Sequence, residues 1–157
     1  MSEALAETDE VLSLGELEKS IGFLLRISQL RSYERFYAAF AESDLRPGEF
    51  SVLWVIRRNP GVRQGLVAET LGIKPAQMTK MIRRIEDQGR IRRVIPDDDR
   101  RSVRLFLTED GEAFTSAHRE KFFGQDDYHR HGMTEKDARE LARLLQNYSG
   151  FRRPAPE

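Results

Sequence analysis

Between Gln64 and Met81 the chain reads Gln-Gly-Leu-Val-Ala-Glu-Thr-Leu-Gly-Ile-Lys-Pro-Ala-Gln-Met-Thr-Lys-Met, and this run leaves few choices of fold. Apolar residues recur at helical spacing over 64–71 and again over 75–88, with Gly72 between them. Two helices this short must cross closely to bury anything. Ala68 is small enough for the crossing, and Gly72 permits the backbone that a tight turn demands. Val67, Leu71, Ile73, Met78 and Met81 supply an apolar seam, and Gly89 is placed to end the second helix. The pattern is a helix–turn–helix.

The adjoining segment sharpens that reading. Residues 90–95 and 102–107 alternate basic and β-branched or apolar side chains around Asp97-Asp98-Asp99-Arg100-Arg101, which predicts a two-stranded hairpin with a charged tip. Thr108 then offers an N-cap to a helix reaching about Phe123. Helix, turn, helix and charged hairpin make a winged helix. The expected class is therefore mostly α with a small β-hairpin wing (α+β), the winged lobe spanning 46–108.

The flanks are helical. The spacing predicts one long helix over 14–41 with two apolar stripes, Leu17, Ile21, Leu24 and Leu25 on one and Phe23, Ile27, Leu30, Tyr37 and Phe40 on the other. Two stripes mean burial on more than one side, which in a small protein points to a second copy of the chain. A further helix carries Phe50, Leu53, Trp54, Val55 and Ile56 and stops before Asn59-Pro60-Gly61. Thr134-Glu135-Lys136-Asp137 resembles a capping box ahead of Ala138, Leu141, Leu144 and Leu145. Residues 14–45 and 109–150 thus form a helical dimerisation region, 1–13 a flexible arm and 151–157 a loose tail.

The formal net charge is zero, which alone argues against a nucleic-acid partner, but its distribution reverses that. Residues 57–104 hold 13 Lys/Arg and 6 Asp/Glu, a net of +7, whereas 1–20 carry a net of −5. Phosphate binding responds to local positive density, because each contact releases condensed counterions. On the second helix Ala76, Gln77, Thr79, Lys80, Arg83 and Arg84 fall mostly on the outer side. Gln pairs with adenine, Lys with guanine, and Ala or Thr methyls approach thymine, so these suit a major-groove reader of double-stranded DNA. Arg83 and Arg84 lie further along and suit phosphates. An arginine at the hairpin tip suits a narrow minor groove, with a neighbouring carboxylate, Asp99, pairing an arginine to fix its direction.

Other classes find little support. The chain has no cysteine, no Gly-rich phosphate loop and no nucleophile elbow, so no enzyme and no cofactor are expected. His129 and His131 near Asp126 and Asp127 fall short of a metal set. No apolar run is long enough for a bilayer and no signal peptide opens the chain, so a cytoplasmic protein without membrane contact is expected. Two rivals remain: a winged-helix module meeting an acidic protein, and an aromatic-ligand-binding protein without DNA.

From Leu14 to Leu145 the sequence resembles the MarR family of bacterial transcriptional regulators. The carriers are Leu24-Leu25-Arg26, Leu45-Arg46-Pro47-Gly48-Glu49-Phe50, Pro60-Gly61-Val62-Arg63-Gln64, Leu71-Gly72-Ile73, Ile85-Glu86-Asp87-Gln88-Gly89-Arg90-Ile91, Asp99-Arg100-Arg101 and Leu107-Thr108-Glu109-Asp110-Gly111. The resemblance implies a homodimer with intertwined terminal helices, acting on a pseudo-palindromic operator, more often as a repressor. It implies that Gln77, Thr79 and Lys80 face bases, that Arg101 enters the minor groove, and that Asp99 and Arg100 brace the wing. It also implies release by a small-molecule effector, an aromatic acid or a related compound, at the junction of dimer core and winged lobe; the basic surface beside such a junction equally suits the phosphates of an acyl-CoA. Arg31, Tyr33, Tyr37, Trp54, Phe114 and His118 are the residues suited to that junction. Arg46 and Arg63 stand where the family often has capping Ser or Thr, Lys74 stands where a polar capping residue is expected, and Arg63 is placed to reach a phosphate in exchange.

Overall fold

A computed structural model describes residues 12–97, 102–124 and 128–151. Its helices are α1 (Ile21–Phe40), α2 (Glu49–Arg58), α3 (Gln64–Thr70), α4 (Pro75–Asp87), α5 (Glu109–Gly124) and α6 (Glu135–Ser149). Its strands are β1 (Val62–Arg63), β2 (Ile91–Val94) and β3 (Arg104–Leu107), and 3-10 turns occupy Gly15–Lys19 and Tyr128–His131. The class is α+β, a winged helix between helical flanks.

The helix–turn–helix closes as its glycines require. Gly72 (φ 63°) and Gly89 (φ 72°) both take the left-handed conformation. Ile73 N–H reaches the Ala68 carbonyl and Gly72 N–H that of Glu69. Arg90 and Gly89 repeat the pattern on Ile85 and Glu86. Both α3 and α4 thus end in Schellman motifs. At their starts Arg63 and Lys74 provide no side-chain cap.

The winged lobe has its own core: Val52, Leu53, Ile56, Val67, Met78, Ile82, Ile85 and Leu105 are fully buried. Each such side chain contributes about 1.5–3 kcal/mol relative to exposure. A second cluster of Phe36, Phe40, Leu45 and Phe50 joins α1 to α2, and Phe122 of α5 stacks on Phe50 at 4.3 Å between centroids.

Two expectations need correction. The predicted helix over 14–41 is interrupted at Ser20, whose backbone is extended (φ −74°, ψ 114°) and whose hydroxyl caps α1 by accepting from Phe23 N–H. Serine competes for backbone donors and so favours a helix start over a helix interior. The sheet has three strands, not two, in the order β1-β3-β2, all antiparallel. Val62 pairs with Leu105 and Arg63 with Arg104, so the stretch after Asn59-Pro60-Gly61 is an edge strand.

The capping box is present at Thr134 and Asp137. No residue of α6 is buried, and its contacts in the chain run chiefly to the Tyr128–His131 turn. Leu141, Leu144, Leu145 and Tyr148 are exposed on it, as are Leu14, Leu17, Ile21 and Leu24 at the other end of the chain. No described helix is long and apolar enough to cross a membrane.

Candidate DNA-reading face and ligand cleft

The recognition helix α4 presents two distinct faces. Met78, Ile82 and Ile85 point into the core, while Ala76, Gln77, Lys80 and Arg83 are exposed on the opposite side. Pro75 at the first position presets the helical backbone without wasting an N–H. Among the described residues neither Lys80 nor Arg83 has an ion-pair partner. Two cations are therefore free to meet an external anion, next to side chains able to contact base edges.

Two members of the predicted set lie differently. Arg84 turns inward: its guanidinium donates to both carboxylate oxygens of Glu49, each at 3.2 Å, and to the carbonyl and carboxylate of Asp44. Glu49 is 1% exposed and also accepts from Arg46 N–H at 2.9 Å. A carboxylate buried that far needs a charged partner, which explains why Arg84 is not held out toward phosphates. Gln88 adds a hydrogen bond to Asp44, which itself sits at φ 45°. This latch ties the C-terminal half of α4 to the loop after α1. Thr79 is half-buried; its hydroxyl donates to the Pro75 carbonyl and accepts a long 3.5 Å bond from Gln64.

Arg63 is exposed immediately before α3. The hairpin-tip residues Asp99, Arg100 and Arg101 lie outside the described residues. On the strands, Arg93 pairs with Glu86 of α4, and that hydrogen bond raises its pKa above the ordinary value. Arg92 and Arg104 are exposed, and their alternation with Ile91, Leu105 and Leu107 marks them as outward-facing.

The six residues predicted for an effector site divide. Tyr33 and Tyr37 of α1 line a cleft of about 400 Å³, faced by Arg46, Pro47 and Glu49 and by Gln77, Lys80, Met81 and Arg84 of α4. A second hollow of about 330 Å³ shares Tyr33, Pro47, Gln77 and Met81 with it and extends toward Gly72 and Ile73. The other four residues lie elsewhere. Arg31 pairs with Glu34 on the open side of α1. Trp54 stacks with Phe50 and packs edge-on against Phe123, with Arg57 above it.

Phe114 and His118 stack at 4.1 Å, and the Arg90 guanidinium lies 3.6 Å from the Phe114 centroid. Burial there lowers the Arg90 pKa, opposed by the nearby Glu49 and Asp44. A carbonyl only accepts, so the His118 Nδ1 contact to Phe114 O at 2.8 Å places the proton on Nδ1. In the neutral ring Nε2 then accepts from the Ser43 hydroxyl at 3.1 Å. These aromatics pack among α1, α2 and α5, Trp54 against Phe50 and Phe123 and His118 against Phe114 and Phe40. Arg46 and Met81 of the cleft carry no sequence signal separating them from surface and seam residues.

No metal-binding group of His, Asp or Glu occurs among the described residues. His131 accepts a hydrogen bond from Arg35 at 3.3 Å, and Asp126 and Asp127 lie outside the described residues.

Comparison with known proteins agrees with this geometry. The profile of the MarR family matches residues 45–103, the winged lobe. A Thauera aromatica protein named for regulation of the hcr operon is 29% identical over 98 residues, 62% of this chain and 59% of its own length. The chain spans 59–65% of the length of the curated relatives it matches. Similarity to solved structures runs further. The transcriptional repressor CouR bound to a 23-mer DNA duplex is 31% identical, with a TM-score of 0.79 over 89% of this chain and 99% of that one. CouR bound to p-coumaroyl-CoA is 28% identical, with a TM-score of 0.77 over 88% and 98%. With the helix–turn–helix, the three-stranded wing sheet and the flanking helices all in place, the chain belongs to the MarR family of transcriptional regulators, not to an enzyme family.

Proposed function

We propose that this protein is a homodimeric, sequence-specific DNA-binding repressor that an aromatic acyl-CoA releases from its operator. The observation that carries the reading is the exposed side of α4, where Ala76, Gln77, Lys80 and Arg83 stand, among the described residues, without side-chain partners beside a basic sheet. Such a face suits a major groove: Gln77 and Lys80 reach base edges, and Arg83 with Arg63 holds phosphates. On the sequence reading, Arg101 enters the flanking minor groove. The chain-long similarity to a repressor bound to a DNA duplex supports the same reading.

Dimerisation follows from the apolar residues left exposed on α6 and near the N-terminus. Two protomers related by a two-fold axis require a pseudo-palindromic site with half-site centres about 34–36 Å apart.

The cleft supplies the release mechanism. Tyr33 and Tyr37 offer ring faces to an aryl group, while Arg46 and Lys80 are exposed cations at its rim, able to hold phosphates. Gln77 and Lys80 also belong to the DNA-reading side, so a ligand engaging them withdraws them from bases. A hundredfold loss of DNA affinity needs only about 2.7 kcal/mol of coupling. The similarity to CouR bound to p-coumaroyl-CoA favours the thioester over the free acid.

Fluorescence anisotropy on the DNA upstream of the protein's own gene, against a scrambled duplex across a salt series, tests the reading. Tight, salt-steep binding that prefers the upstream DNA is expected, with release by p-coumaroyl-CoA and not by p-coumarate or CoA alone. Equal, weak binding to both duplexes overturns the DNA assignment. Indifference to the thioester overturns the effector class.

A further inference from the structure

The outer face of the sheet carries charge that folding alone does not call for. Antiparallel pairing sets Arg63 of β1 directly opposite Arg104 of β3, and Arg92 of β2 opposite Phe106 of β3. Paired residues share a face, and so do positions two apart along a strand. Arg63, Arg104, Arg92 and Phe106 therefore stand together on one side. The Arg92 guanidinium lies over the Phe106 ring, 4.4 Å from its centroid. The other side faces the core, with Ile91 and Leu105 buried and Arg93 paired to Glu86.

All three outer arginines are exposed, and no strand residue is acidic. Arg104 donates to the Gly61 carbonyl at 3.2 Å, yet among the described residues no ion pair reaches Arg63, Arg92 or Arg104. Like charges directly opposed across a ladder destabilise it. Arg92, with its guanidinium over a ring, has also given up hydration on one side. An anion resting on this face relieves both.

We propose that the outer sheet face is a second phosphate-binding surface, taking the backbone of duplex DNA that flanks the recognised site. Duplex DNA is the occupant because Arg63 of this face opens α3, and the next residue, Gln64, hydrogen-bonds Thr79 of the recognition helix. Exposed guanidinium groups hold phosphates without reading bases. The surface therefore lengthens the footprint and strengthens binding whatever the flanking sequence. The inference rests on the DNA-binding reading above.

The test starts with selection of a preferred sequence from a random duplex pool by the purified protein. That core is then offered as a duplex of about 22 bp and centred in one of about 50 bp with arbitrary flanks, longer than two half-sites need. Wild type is compared with the double variant Arg92→Gln/Arg104→Gln by anisotropy across a salt series. The two proteins should bind the short duplex alike. On the long one the variant should bind more weakly, and its log–log salt slope should be shallower by about 0.9 for each phosphate released, about 2–4 in all. Equal slopes on the long duplex overturn the proposal while leaving the reading face intact. Failure of selection to enrich any sequence overturns the underlying DNA reading instead. If the double variant melts early, Arg92→Gln alone decides, because among the described residues the Arg92 side chain, unlike that of Arg104, donates to no backbone carbonyl.

Discussion

A side chain at position 111 has nowhere to go. A Cβ on Gly111 would stand 1.9 Å from the Arg90 carbonyl oxygen, and that oxygen accepts from Thr108 N–H. The neighbour is backbone, so it cannot swing aside. Overpacking of a tight site costs about 1–3 kcal/mol, and Gly111→Ala should lie at or above the top of that range. Chemical denaturation reads it as a lower midpoint with an unchanged slope; a midpoint equal to wild type would show that the helix start slides away from the strand. The requirement is invisible in sequence, where Thr-Glu-Asp-Gly reads only as a helix start. Gly72 and Gly89 are different: each follows a periodic apolar run and needs a left-handed backbone, so local pattern alone identifies them.

At the scale of elements, the latch from α4 to the loop after α1 decides how the recognition helix is held. Arg84→Met would leave the Glu49 carboxylate buried without its partner. Breaking a fully buried pair costs about 3–5 kcal/mol. With the Arg84 side chain 20% exposed, a loss of about 2–3 kcal/mol is the reasonable scale. Urea titration measures it, and a variant as stable as wild type would mean that Glu49 finds water or another donor.

The start of α6 makes a pH-dependent contribution. The Thr134 hydroxyl and backbone N–H hold the Asp137 carboxylate below its ordinary pKa. A group depressed on folding stabilises fully above its unfolded value, about 4, and loses that contribution as pH falls through the folded value. Amide exchange in the first turn of α6, corrected for intrinsic rates, should accelerate below about pH 4 in wild type and not in Asp137→Asn. Parallel profiles for the two proteins would refute it.

The helix–turn–helix, the capping box and the extents of α2 to α5 were legible because each is written in residues a few positions apart. Two-residue β1 was not, since two residues show no alternation and the strand exists only by pairing with β3. Glu49 and Arg84, 35 positions apart, carry no local mark of each other, so Arg84 read as one more outward cation. The proposed cleft suffered the same way: Tyr33 and Tyr37 share a helix face, but what confronts them is set by tertiary placement of α4 across the cleft.

For the whole molecule, the unburied α6 is the feature that a single chain leaves unexplained. If its apolar side meets a second copy, Leu141→Glu/Leu145→Glu should yield a monomer in analytical ultracentrifugation and weaken operator binding by an order of magnitude or more. The winged lobe should keep its thermal transition, because its core uses none of these residues. A variant that remains dimeric would move the interface elsewhere.

Gly111 against Arg90, with Arg90 lying on Phe114, has a mechanical meaning too. The first turns of α5 are joined to the lobe so closely that lobe and helix must turn together. The helix runs from Glu109 to Gly124, a lever about 24 Å long at 1.5 Å per residue. A tilt of about 5° at the DNA end therefore sweeps the far end through about 2 Å. By the same gearing, a displacement at that far end, too small to unseat a side chain, would re-aim the recognition helix.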